Sequence, residues 1–270
     1  MSGSRKGESR VSDSRKGESR VSAPLKAVAR RVRRALIRPP RPSASYPEVE
    51  RAEQIFYLEY LREGMTVFDA GAHVGELTLL FSRFVGAGGH VHAFEAGAEA
   101  FGRLEAICRA AGRRANVTLN HAALADAEGT LRLHVYDEAH LAWSSPAARP
   151  LETYGIDVRP TAVEEVTATT VDAYCERNRI GRIDLLKIDV EGAELQVMLG
   201  ARRMLESKRV GCVTFEFGQT TFDMGNRPEQ IEEYLHGLGY RIANVVKGDP
   251  VFPGRAGAAT AGFSMHVATP

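Results

Sequence analysis

The side chains best placed to do chemistry are acids that end short apolar runs: Asp69, Glu95, Asp189 and Glu216. Asp69 opens Asp69-Ala70-Gly71-Ala72-His73-Val74-Gly75, and Glu95 follows His90-Val91-His92-Ala93-Phe94. Gly71 permits a sharp turn and a ligand against bare backbone; Gly75 permits the following helix to sit close to the strand. The free N–H groups at that helix start favour a carboxylate or phosphate. Glu95 lies about 20 residues beyond the turn, the distance at which an acid takes a ribose diol. The expected ligand has a ribose and an anionic or polar tail.

The glycine spacing narrows the ligand. It is D-x-G-x-x-x-G, unlike the dinucleotide pattern G-x-G-x-x-G, and no G-x-x-x-x-G-K-[ST] occurs. This disfavours an NAD- or nucleotide-sugar-linked enzyme and a P-loop. An acid before the turn and an acid ending the second strand suit S-adenosylmethionine. The bland alternative is a packed βαβ unit with no cofactor. Ala122 and Ala123, after His121, sit where a cofactor base would lie; they leave room for a flat adenine or simply form a tight turn.

The elements that must position these residues follow from periodicity. Residues 65–95 read as strand, glycine turn, helix and strand. Helices are expected over 47–62, with Ile55, Leu58 and Leu61 on one face, and over 97–112, 170–178, 192–205 and 228–238. The core side of 192–205 is expected to include Leu199. Strands are expected at 116–119, around 131–135, and at 183–188, 210–217, 240–246 and 262–267. Residues 137–165, with Trp143, Pro146 and Pro150, lack periodicity and read as a long loop covering a substrate. Alternating strands and helices give an open, mostly parallel α/β sheet.

Two motifs read together resemble a known family. Ile183-Asp184-Leu185-Leu186-Lys187-Ile188-Asp189-Val190-Glu191-Gly192-Ala193-Glu194 is similar to the "DLLKIDVEGAE" motif of the FkbM methyltransferases. Val67 to Gly75 resembles that family's "vDvGANiG" motif, with His73 where Asn is usual. Ala93-Phe94-Glu95 resembles its "AFEP", with Ala96 in place of Pro. The resemblance spans about residues 50–247. It implies a class I methyltransferase Rossmann-like sheet with its last strand antiparallel. It also implies S-adenosylmethionine as cofactor, and hydroxyl acceptors on sugars, glycolipids or natural products. The cofactor-binding set is then Asp69, Gly71, His73, Gly75, Glu95, Ala122 and Ala123.

Ligands of such sheets sit beyond the carboxyl ends of the strands. Methyl transfer to a hydroxyl needs an in-line acceptor, excluded water and a base. Asp189 is the expected catalytic carboxylate, with Lys187 and Glu191 orienting it or the acceptor. The competing reading is a structural ion network of the same three residues, or Glu191 binding only backbone N–H groups. Glu216 is expected near the substrate. His73 is a second candidate base, although such a residue more often caps or packs. Spacing shows no ligand triplet, so no metal is expected.

The totals set outer limits. Residues 1–42 hold 13 Lys/Arg against 3 Asp/Glu, and the remainder 22 against 31. The acidic body, 43–270, is expected to be the methyltransferase domain and not a nucleic-acid binder. The tail repeats Ser4–Ser12 without change at Ser14–Ser22 and reads as disordered. Residues 24–37 form a basic amphipathic stretch, suited first to a solvated helix and second to weak contact with an anionic membrane. Pro39-Pro40-Arg41-Pro42 reads as a linker. Cys108, Cys175 and Cys212 cannot all pair, which suits a reducing, cytoplasmic setting. No apolar leader or membrane-length run is seen. The sequence does not indicate an oligomeric state. A non-catalytic binding protein that keeps the fold is the reading outside enzymes.

Overall fold

The computed structural model describes residues 43–112 and 115–270; the expectations for residues 1–42 lie outside them. The predicted central unit is present as β1 (Thr66–Ala70), α2 (Glu76–Val85) and β2 (His90–Glu95), preceded by α1 (Tyr46–Tyr60). The chain continues with α3 (Ala98–Ala110), β3 (Val117–His121), β4 (Ala123–Leu124), β5 (Gly129–Val135) and β6 (Ala162–Thr169). Then come α4 (Val171–Arg177), β7 (Leu185–Ile188), α5 (Glu194–Gly200), α6 (Arg202–Glu206) and β8 (Val213–Phe217). The last elements are α7 (Gln219–Asp223), α8 (Pro228–Gly237), β9 (Arg241–Asn244) and β10 (Ser264–Thr269).

Seven strands form one sheet in the order β3-β2-β1-β7-β8-β10-β9. The pairs from β3 to β8 are parallel, and β10 runs antiparallel between β8 and β9. This is the expected open sheet with an antiparallel last strand. Its two faces follow from the side-chain alternation of a strand. Phe68, Leu186, Ile188, Phe215 and Phe217 join α4, α5 and α8 in one core. Their neighbours Val67 and Leu185 meet Tyr57, Phe81 and Val85 in the other. The register sets Asp69 beside Lys187, and Glu95 beside His121.

Several expectations change. The stretch 192–205 is two helices, not one, broken at Ala201 (φ −101°, ψ 12°). At the preceding Gly200 an added Cβ would lie 2.0 Å from the Ala125 carbonyl oxygen, so close packing shapes the chain there. Leu199 is 38% exposed instead of core. In α1 the buried residues are Val49 and Tyr57, with Leu61 just beyond, whereas Ile55 and Leu58 are exposed. Residues 137–165 are not one loop. They hold short 3-10 turns at Glu138–Trp143 and Leu151–Tyr154 and run into β6. β6 pairs antiparallel with β5 and parallel with β4 in a second, three-stranded sheet. The adjacent Glu164 and Glu165 interrupt any apolar alternation and hide that strand in the sequence. Among the described residues no helix is long and apolar enough to cross a membrane.

Candidate active site

A cavity of about 1110 Å³ opens beyond the carboxyl ends of β1, β2, β7 and β8. Pockets for a single small ligand run to about 1,000 Å³, so this one has space for a cofactor and an acceptor. Gly71, His73, Gly75, Glu95, Ala122 and Ala123 line it together with Lys187, Asp189, Glu191 and Glu216. Of the residues singled out from the sequence, Asp69 is the one beneath the floor: it is fully buried.

The floor is an ion cluster. Lys187 Nζ stands 3.2 Å from Asp69 Oδ1 and 3.5 Å from Asp189 Oδ2. It also donates to the Gly71 carbonyl at 2.8 Å. Thr78 Oγ1 donates to Asp69 Oδ2 at 2.6 Å, which ties α2 to β1. Burial opposes the lysine charge, but Asp69, then Asp189 and Glu53, raise its pKa above the ordinary lysine range. A lysine held so firmly charged supplies a fixed cation, not a proton carrier.

The turn after β1 is shaped by contacts that only glycine allows. Gly71 has φ +74°, and an added Cβ would sit 1.8 Å from the Asp189 carbonyl oxygen. Its bareness therefore serves the approach of two strand ends, in a turn that also lines the cavity. Gly75 (φ +92°) abuts Leu104 of α3, 2.5 Å from an added Cβ, so the close contact is with a helix and not with the strand. His73 is left-handed at φ +48°, a region His tolerates much as Asn does. Its backbone N–H donates to Glu95 Oε2 at 2.8 Å, and Gly97 N–H donates to Glu95 Oε1 at 2.8 Å. Glu95 thus fastens the turn while lining the cavity. Burial raises its pKa, and the bonds from Gly97 and His73 partly offset this. The His73 Nε2 atom is buried with no hydrogen-bond partner, and burial lowers the ring's pKa.

The far end of the cavity is acidic. Asp189 directly follows β7 and its side chain is 37% exposed. Glu191 follows in the left-handed region at φ +54°. Burial, then Asp189, raises its pKa to about 8. Glu216 on β8 is pushed well above the carboxylate range by burial, then by Glu191 and Asp189. One oxygen of each of these three residues lies within 4.8 Å of the others. Spacing shows no such triplet; the fold assembles it among the described residues. The arrangement suits a divalent cation or shared protons equally.

Other lining residues carry no motif. Glu53 of α1 reaches the cavity and accepts from Tyr57 Oη at 2.7 Å. Burial lifts its pKa to about 7. Tyr46 packs on Phe263 with centroids 4.6 Å apart, and both line the cavity with Leu58. The segment between β5 and β6 adds Trp143 and Arg149. The one signal in the sequence for these was the exposed apolar stripe on α1, whose Leu58 borders the cavity and not the core.

The cavity fits a nucleoside cofactor on its own geometry: a bare turn, an acid at the tip of β2, and two alanines beyond β3. A family model described as "Methyltransferase FkbM domain" matches residues 69–242. No curated protein matches. Among solved structures, the chain is similar to a methyltransferase FkbM from Methylobacillus flagellatus KT, with 13% identity and a TM-score of 0.47 over 79% of this chain and 50% of that one. It is also similar to a SAM-dependent O-methyltransferase from Thermotoga maritima, with 15% identity and a TM-score of 0.44 over 85% and 67% of the two chains. A SAM-dependent methyltransferase from Aquifex aeolicus gives 12% identity and a TM-score of 0.43 over 84% and 100%.

Proposed function

The chain belongs to the FkbM methyltransferase family, and from that premise we propose that this S-adenosylmethionine-dependent methyltransferase methylates a hydroxyl oxygen on a sugar, glycolipid or natural product. The observation that carries the oxygen assignment is Asp189. It is a partly exposed carboxylate at the end of β7, inside the cavity, with a buried lysine 3.5 Å away.

The cofactor supplies an electrophilic methyl group when bound. The chain's own residues do the rest. Glu95 holds the turn through His73 and Gly97 and would accept from the ribose hydroxyls. Ala122 and Ala123 would leave space for the base, and the Gly71 turn would bound the polar tail. Asp69 acts from below by fixing Lys187 and Thr78. Asp189 takes the proton from the acceptor hydroxyl as its oxygen attacks, and Glu191 orients that acceptor. Lys187 holds Asp189 in place. Tyr46, Phe263 and Trp143 give the cavity aromatic walls.

The acidic balance of residues 43–270 supports a small-molecule or glycan acceptor over nucleic acid. Three buried cysteines outside any disulfide support a reducing, cytoplasmic setting. Incubation with methyl-labelled S-adenosylmethionine and a small-molecule extract, followed by mass spectrometry and carbon NMR, tests the reading. The expected product carries the label on oxygen. A label found only on nitrogen or carbon overturns the hydroxyl assignment.

A further inference from the structure

Arg149 lies between β5 and β6, outside every motif, yet its side chain is only 8% exposed. Its Nη1 stands 3.3 Å from Glu191 Oε2, and its Nε donates to Asp223 Oδ2 at 3.1 Å. Asp223, at the end of α7, is 1% exposed and accepts from Tyr154 Oη at 2.5 Å. The guanidinium carbon is 6.0 Å from the Trp143 ring centroid, so it backs a wall of the cavity. The same segment grips Glu191 a second time, through Ser145 Oγ donating to the Glu191 carbonyl at 2.7 Å.

These contacts fix both ends of one residue. The Glu191 backbone is held in a left-handed conformation that a non-glycine residue rarely adopts. Its carboxylate sits among acids: Asp189 before it, Glu194 on α5 and Glu216 on β8. Lys187 is committed to Asp69. Among the described residues the cation paired with Glu191 is Arg149. A guanidinium can bridge two carboxylates from fixed N–H positions, which an ammonium cannot reproduce.

We propose that Arg149 is a positioning residue that holds the Glu191 carboxylate toward the acceptor and ties that alignment to the β5–β6 segment. The proposal rests on the reading that Glu191 meets the acceptor. It adds a residue that no motif marks and gives the Ser145, Arg149 and Tyr154 contacts a common purpose.

The test is a double-mutant cycle in the full chain with Arg149→Gln, Arg149→Lys, Glu191→Gln and the Arg149→Gln/Glu191→Gln pair. S-adenosylhomocysteine affinity is measured by calorimetry. Initial rates are measured for labelled methyl transfer into one fixed small-molecule extract across S-adenosylmethionine concentrations. S-adenosylhomocysteine affinity and KM for S-adenosylmethionine should stay within about twofold, while Arg149→Gln lowers the saturated rate about tenfold or more. Arg149→Lys should recover part of that loss. In the Glu191→Gln background, Arg149→Gln should cost less than about twofold further, because it acts through the group already removed.

Losses that multiply in the pair overturn the proposal, as does a raised KM with an unchanged saturated rate. If Arg149→Gln fails to fold, Arg149→Lys, which keeps the charge, carries the cycle with the same criterion. A wild-type chain that neither binds S-adenosylhomocysteine nor transfers methyl defeats the underlying reading instead. An active wild type with multiplying losses defeats the Arg149 assignment alone.

Discussion

Replacing Lys187 with methionine separates the two roles open to that residue. Lys187 is 2% exposed, and it faces Asp69, whose side chain is fully buried, at 3.2 Å. Methionine fills much of the same space but leaves the Asp69 carboxylate with Thr78 as its remaining side-chain donor. Removing one partner of a buried pair costs about 3–5 kcal/mol, because the other charge stays uncompensated. For a domain of this size each kcal/mol moves Tm by about 2–4 °C. Lys187→Met should therefore lower Tm by roughly 6–20 °C in a calorimetric scan. Lys187→Met with Asp69→Asn should recover a good part of that, since the orphaned charge is gone. A Tm loss of less than about 3 °C with a collapsed methyl-transfer rate would refute the reasoning, because Lys187 would then act in the chemistry itself.

Other outcomes follow from the same geometry. Asp189→Asn should leave S-adenosylhomocysteine affinity within a few fold while the transfer rate falls about 10²–10⁴-fold; an unchanged rate would point to His73 or Glu216, or to no base at all. Folded-state pKa values of about 7 for Glu53 and Glu194 and about 8 for Glu191 stand above the ordinary glutamate value. These acids bind more protons in the folded chain than in the unfolded one from about pH 4.5 to 8, whereas burial depresses His92 to about 4 and His266 to about 3, an opposing effect below the ordinary histidine value. Above about pH 6.5 the acids act unopposed, so stability should fall as pH rises from there to about 8. Urea midpoints at about pH 6.5 and pH 8 check the sign. A chain starting at Ser43 should keep its Tm; if it also loses sedimentation with anionic vesicles, the membrane-surface reading of residues 24–37 gains.

The βαβ unit was legible because each part carries its own local signal: alternation in the strands, glycine at the turn, helical spacing after it. The strand at β7 was legible because its apolar run is buried on both faces. What the spacing could not show was the use of each residue. Asp69 and Glu95 look alike as acids near a glycine turn, yet the register puts Asp69 under the floor against Lys187 and leaves Glu95 facing the cavity. Arg149 and Glu53 line the cavity, and Asp223 backs Arg149, through tertiary contacts with no sequence period behind them. β6 stayed hidden because Glu164 and Glu165 sit side by side in it. The Ile55 and Leu58 stripe misled for the opposite reason: its period is helical, but Leu58 borders a cavity and Ile55 faces solvent.

The central claim is that the cavity beyond β1 and β2 holds S-adenosylmethionine through Glu95. Titration calorimetry with S-adenosylhomocysteine and with NAD, on the wild-type chain and on Glu95→Ala, addresses it directly. The account predicts one S-adenosylhomocysteine per chain, no NAD binding, and a loss of about 1.5–3 kcal/mol in Glu95→Ala, the scale of a hydrogen bond to a charged group. Binding of NAD without S-adenosylhomocysteine, or S-adenosylhomocysteine affinity untouched by the loss of Glu95, would contradict it.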